Sequence, residues 1–171
     1  MIGMKYALVF NGSVVQLSAA QFDVHPTMTW VATPASQTVE VGYGYANGAF
    51  VAPPAPPAPT LAQQAAAAIA AGLTITSTGT PAINGTYAIA SGIPFGREDI
   101  GTEAQFVSTF SEFTNGAQTL EWPLLNGTFV TFPSTASFMN FAKAAAQYYA
   151  AVKAVVAAGQ GSFPSNQVTI P

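Results

Sequence analysis

One histidine, no cysteine and a single dense group of charges are the places where this chain offers side chains for chemistry. His25 stands near Asp23 and Pro26 in a stretch with the composition of a loop. Ser-His-Asp triads assemble from distant positions, so a lone histidine is a candidate general base wherever it falls. No G-x-S-x-G segment marks a serine as its nucleophile, and the reading as an ordinary loop histidine is favoured. The lack of cysteine excludes a thiolate nucleophile, a disulfide framework and a Cys-type metal site. With one histidine, carboxylates would have to supply nearly every ligand of a metal ion, which argues against a metal centre.

The densest charged group is Arg97-Glu98-Asp99 with Glu103. Two carboxylates at a suitable separation can run glycoside hydrolysis. Their position around a predicted helix start gives the simpler account, because the positive end of the helix dipole favours negative charge. Trp30, Tyr43, Tyr45 and Phe50 form an aromatic set that could stack on sugars, with Tyr43 and Tyr45 the candidate partner or glycan contacts. A small sheet needs aromatic residues for its own core, and that use is preferred. The pattern thus predicts no catalytic residue, no metal site and no cofactor, and the chain reads as a non-enzyme.

Composition limits the partners. Half of the 171 residues are hydrophobic and only 6% are charged, whereas an ordinary soluble domain carries about 25% charged residues. So little charge gives weak electrostatic protection against association, and burial in an oligomer or a larger assembly follows. The four basic residues, Lys5, Arg97, Lys143 and Lys153, are scattered through a chain of net charge −3. Nucleic-acid binding needs clustered Lys and Arg on phosphates and is not expected. No apolar run reaches the roughly 18 residues that span a bilayer, so no membrane partner is expected. The segment Met1 to Phe10 reads as a strand and not as a signal peptide.

The elements that must position these residues follow from turn and capping signals. Tyr6 to Phe10 and Val14 to Leu17 flank Asn11-Gly12, the strongest short hairpin signal. Thr38 to Val41 is expected as a further strand, with a hairpin from Tyr43 to Val51 around Asn47-Gly48. Residues 1–52 thus form a small β-rich module, for anchoring or partner binding. Pro53 to Pro59 lacks ladder donors, favours polyproline II and forms a linker over 53–59.

Residues 60–158 alternate helix and hairpin. Thr60 with Gln63 has the form of a capping box for a first helix ending at Gly72. Leu73 to Ser77 and Thr86 to Ala90 flank Asn84-Gly85 as a hairpin. Thr102 with Gln105 repeats the capping pattern, and Phe106, Phe110 and Phe113 supply an aromatic face for a second helix. Thr119 to Trp122 and Thr128 to Phe132 flank Asn126-Gly127 as a second hairpin. Ser134 caps a long last helix with Phe138, Phe141, Ala145, Tyr148 or Tyr149, Val152 and Val155 on one stripe up to Gly159. The order helix, hairpin, helix, hairpin, helix defines an α+β domain. Residues 159–171 lack periodicity and are expected to be a tail that is ordered only when something binds it. The Asn-Gly-Ser/Thr triplets at Asn11, Asn84 and Asn126 are explained as turns, and the alanine-rich stretches 65–68 and 144–146 suit either helix propensity or close helix packing.

Two stretches carry a resemblance. MKYALVFNGSVVQL with VGYGYANGAFVAPPAPPAP resembles the leader of phage tail-fibre and tail-fibre-assembly proteins. AGLTITSTGTPAINGTYAI with LEWPLLNGTFVTFPSTASFMNFAKAAAQYY is similar to a domain of unknown function common in phage tail and virion-associated proteins. The resemblance implies structural roles for Asn84, Gly85 and Tyr87 in the first hairpin, Trp122, Asn126 and Gly127 in the second, and Phe138, Phe141 and Tyr148 on the last helix. It carries no catalytic set. It implies a non-enzymatic component of a virion, made in the host cytoplasm, tail-fibre-associated or decorating the capsid, with other phage virion proteins as partners. A homo-oligomer is expected, with a trimer by analogy to fibres. Two alternatives stay open: a tail-fibre assembly chaperone in the host cytoplasm, and a receptor-binding module for host glycans.

Overall fold

The computed structural model describes residues 5–171; Met1 to Met4, where the expected first strand was to begin, lie outside the described residues. The chain is a mixed α+β protein that divides into two compact units, Met1–Pro57 and Ala58–Pro171.

The first unit is a five-stranded sheet of order β3-β1-β2-β4-β5. Strands β1 (Tyr6–Phe10) and β2 (Ser13–Ser18) pair antiparallel across Asn11 and Gly12. Both turn residues have positive φ, 50° and 74°, the geometry that matches the twist of a two-residue hairpin. Asn47 and Gly48 do the same between β4 (Gly44–Ala46) and β5 (Ala49–Val51). One expectation needs correction, and one strand was not foreseen. Thr38 to Val41 is not a strand; its Val39 instead drops into a core with Ala7, Val9, Val14 and Phe50. The place next to β1 is taken by β3 (Met28–Ala32), with Trp30 opposite Leu8. Its run of Thr, Trp and Val favours a strand, but the Pro26-Thr27 turn before it masked that signal. Residues 52–59 carry neither helix nor strand and are exposed.

The second unit is built around one long helix. A capping box starts α1 (Leu61–Ala70): Thr60 Oγ1 accepts the Gln63 N–H at 3.2 Å, and Gln63 Oε1 accepts the Thr60 N–H at 2.8 Å. Gly72 then turns the chain at φ 77°, and no side chain fits there, because a Cβ would stand 2.6 Å from the Tyr87 carbonyl oxygen. Strand β6 (Leu73–Ser77) follows, with Leu73, Ile75 and Ser77 buried on one side. It pairs antiparallel with β7 (Gly85–Tyr87).

Asn84-Gly85 is not the turn of that hairpin. A 3-10 turn at Pro81–Ile83 makes the reversal, and Asn84 is extended at φ −65°, ψ 133°. Its side-chain oxygen accepts the Ser77 N–H at 2.6 Å, so the asparagine pins the loop to the end of β6. The proline at the first position of the 3-10 turn supplied the competing signal.

Helix α2 (Arg97–Phe110) starts five residues before the expected capping pattern, with Gly96 as N-cap, and Thr102 lies in its interior. Its buried stripe is Ile100, Glu103 and Val107. Phe106 and Phe110 pack on each other at 4.7 Å on a different face, and Phe110 is 61% exposed. Phe113 is buried, but it reaches the core from beyond the helix, after Ser111 reverses the chain at φ 61°. The aromatic spacing therefore misread the core face.

Strands β8 (Leu120–Pro123) and β9 (Phe129–Phe132) form the second hairpin, with Gly127 at φ 84° and Asn126 Oδ1 accepting the Thr128 N–H at 3.0 Å. Ser134 caps α3 (Thr135–Ala158) by accepting the Ser137 N–H at 3.2 Å, and Gly159 ends it at φ 69°. The expected free tail is also corrected: Gln167–Ile170 is strand β10, parallel to β6, in a sheet of order β10-β6-β7. Helix α3 makes the crossover between these parallel strands, which antiparallel hairpins do not need. It packs against α1, α2, β6, β9 and β10.

Candidate functional site

The residues singled out from the sequence fall in three groups. Tyr87, Phe132, Phe138 and Phe141 are fully buried and their rings pack at centroid distances of 4.3–6.0 Å. The Tyr87 hydroxyl donates to the Ile83 carbonyl, and burial pushes its phenol far above the ordinary value. The Tyr148 hydroxyl donates to Ala68 O at 3.3 Å, tying α3 to α1, and burial raises its pKa as well. Trp122 is buried between Phe95 and Phe138, at 5.4 and 5.3 Å, with its indole N–H unpaired.

In the first unit Tyr43 and Tyr45 are half-buried against the core, and Tyr45 packs on Phe50 at 4.8 Å. Trp30 is not part of that set. It sits edge-on to Phe22 at 4.9 Å and donates its indole N–H to Phe22 O at 2.9 Å. The four aromatics therefore do not make one platform.

The histidine and the clustered carboxylates are held by hydrogen bonds to nearby loops and turns. His25 is exposed and its Nδ1 lies 2.9 Å from Thr27 Oγ1, inside its own turn. Glu98 Oε2 accepts the Gly92 N–H at 3.1 Å and Asp99 Oδ2 accepts the Phe95 N–H at 2.6 Å, so both carboxylates close the loop before α2. The Gly92 hydrogen bond, helped by Ser91 and by Arg97, holds the Glu98 carboxyl below the usual range. Glu103 is buried and accepts both the N–H and the hydroxyl of Thr114, at 3.0 and 2.6 Å. Each of these three carboxylates is thus committed to local structure. Among the described residues no group of three or more His, Asp or Glu is placed to hold a metal, and no helix is long and apolar enough to cross a membrane.

What the sequence reading missed is a groove between α2 and α3. Its volume is about 550 Å³, within the range of about 300–1,000 Å³ typical of small-molecule sites. The floor is apolar, from Ile89, Ile100, Ala104, Met139, Ala142 and Ala146. Arg97 comes from the first turn of α2, and Lys143, Tyr149 and Lys153 from α3. The Arg97 guanidinium lies 4.1 Å from the centroid of the Tyr149 ring and Lys153 Nζ 6.0 Å from it, both within cation–π reach. Three of the four basic residues of the chain line this one groove, and no acidic residue does. The stripe on α3 is visible in the sequence, since Met139, Lys143, Ala146, Tyr149 and Lys153 keep helical spacing. Its union with Arg97 is not, because 45 residues, a hairpin among them, lie between Arg97 and Lys143.

No family model, curated protein or solved structure matches this chain.

Proposed function

We propose that the chain is a non-enzymatic structural protein of a bacteriophage particle, tail-fibre-associated or a fibre or decoration on the capsid, that works through protein–protein assembly. In this reading a small β-rich N-terminal module and a C-terminal α+β module, joined by the proline linker, make separate contacts, one anchoring to the particle and one projecting from it. The observation that carries the reading is the surface. In a chain with 6% charged residues, large apolar side chains stand in solvent in both units, among them Phe22, Val41 and Val51 in the first and Phe110, Leu125 and Phe129 in the second. Little charge keeps copies or partners apart, and exposed apolar area marks contact surface where it is contiguous. Glu98, Asp99 and Glu103, the carboxylates of the densest charged group, are each held by local hydrogen bonds, which favours the assembly reading over glycoside hydrolysis at that group.

Mass spectrometry of purified particles tests it. The proposal expects peptides of this chain at a copy number comparable to other minor structural proteins. Finding the chain only in the infected-cell lysate, bound to a fibre, would overturn it in favour of an assembly chaperone. Multi-angle light scattering tests the accompanying homo-oligomer, for which a trimer is the expected state.

A further inference from the structure

We infer that the groove between α2 and α3 is a binding site for an amphipathic small-molecule anion, an alkyl or acyl chain with one anionic head. This goes beyond the assembly role and does not depend on it. The head would sit at the Arg97–Tyr149–Lys153 end and the chain would lie along the floor toward Met139.

Three observations converge on that ligand. First, Arg97 and Lys153 gather around one tyrosine ring with no carboxylate in the lining. The acids nearest in sequence are hydrogen-bonded outside the lining, Glu98 to the Gly92 N–H, Asp99 to the Phe95 N–H and Glu103 to Thr114, and Arg97 adds only the smallest of the influences on Glu98. Like charges collected beside apolar surface repel each other, and an anion placed between them offsets that repulsion. Second, the floor is aliphatic and the middle of its α3 side is Ala142, Ala145 and Ala146, which leave a trough and not a filled seam. Third, the trough has length: Met139 and Tyr149 are ten residues apart on one helix, about 15 Å at 1.5 Å per residue. A medium-length alkyl chain fits that span, whereas a compact anion such as phosphate would leave the floor uncovered. A cationic or neutral amphiphile would leave the charges unanswered.

Titration calorimetry of the full chain with dodecanoate, below its micelle concentration, tests the inference, with dodecyl phosphate, dodecanol and inorganic phosphate as the comparison probes. The expected result is saturable binding of one dodecanoate per chain, at least tenfold tighter than dodecanol, with inorganic phosphate undetected. Binding by dodecyl phosphate as tight as by dodecanoate would fit a lipid phosphate head, and a weaker response a free carboxylate; both support the site. Affinity should rise about fourfold per added methylene until the trough is full. The double variant Arg97→Gln/Lys153→Gln, altering two exposed heads, should weaken dodecanoate at least tenfold without changing the dodecanol response. Gly101→Phe provides a second, independent block, since a Cβ at this exposed helical glycine meets no atom within 4 Å and the residue lines the groove, so an added ring has room to fill it. It should abolish binding while the chain keeps its helical circular dichroism. Equal binding of dodecanol and dodecanoate, non-saturating uptake, or unchanged affinity in folded Gly101→Phe would each overturn the inference.

Discussion

Replacing Ile170 by alanine distinguishes an ordered C-terminal strand from a tail that needs a partner. In strand β10 the side chains alternate: Gln167 and Thr169 are exposed, Val168 is half-buried and Ile170 is 5% exposed in the core of the second unit. The strand is held to β6 by its ladder and by flanking bonds, Thr74 N–H to Asn166 O at 2.8 Å and Thr78 N–H to Ile170 O at 2.9 Å. Ile170→Ala removes three buried carbons, about 2.4 kcal/mol at about 0.8 kcal/mol each. Part of the cavity persists beside β6, so the total should fall at about 2–4 kcal/mol. Val168→Ala should cost about 1 kcal/mol and Thr169→Ala less than about 0.5 kcal/mol. Urea unfolding of the isolated chain, followed by tryptophan fluorescence and circular dichroism, reads these values as shifts in the unfolding midpoint of the second unit. A tail ordered only by a partner would make all three substitutions silent. Equal midpoints for Ile170→Ala and the parent chain would therefore refute the strand and the core boundary drawn from it.

Five further outcomes follow from named contacts. Gly72→Ala should cost more than about 2 kcal/mol, since positive φ alone costs about 1–2 kcal/mol and its Cβ would also meet Tyr87 O at 2.6 Å. Gly127→Ala, at similar φ but in open space, should show only the backbone part by the same unfolding assay. Thr60→Ala removes the capping box of α1 and should lower stability by about 1 kcal/mol, seen as a lower thermal midpoint. Tyr87 makes the second unit alkali-sensitive: its folded pKa lies above the unfolded value near 10, so the stability it confers is fully present below pH 10 and is lost as pH rises toward the folded value. Tyr87→Phe should cost about 1 kcal/mol at neutral pH by leaving Ile83 O without its donor, yet flatten the fall in stability above pH 10 in a pH series of urea melts. Glu98 works in the opposite sense: its folded pKa is lowered, so its contribution is present above the unfolded value near 4.5 and is lost as pH falls through the folded one. Glu98→Gln should leave stability less dependent on pH on the acid side, by the same series.

Much of the architecture was legible because it rests on local signals. Asn11-Gly12 and Asn47-Gly48 adopt positive φ at both positions, and Thr60 and Ser134 accept the amide hydrogens expected of caps. These features depend on a few adjacent residues, and no distant contact overrides them. Where two local signals competed, the sequence misled. Pro81 opened a 3-10 turn and moved the reversal away from Asn84-Gly85, while Gly96 began α2 one turn and more before Thr102. The phenylalanines at 106, 110 and 113 have helical spacing, but a left-handed Ser111 breaks the helix before the last of them is placed.

Sequence alone determined the composition that makes association the expected fate of this chain, the hairpins with Asn-Gly turns at positive φ, and the aromatic stripe of α3 with Phe138, Phe141 and Tyr148. Tertiary structure decided which strands became neighbours. Gln167–Ile170 alternate polar and apolar over only four residues, too short a run to mark a strand alone, and they form one because β6 offers an unpaired edge and the core offers Ile170 a place. It also decided the groove. Arg97 and Lys153 belong to different helices, and only the packing of α2 on α3 brings their charges to one tyrosine ring, a long-range coincidence that spacing along the chain does not encode.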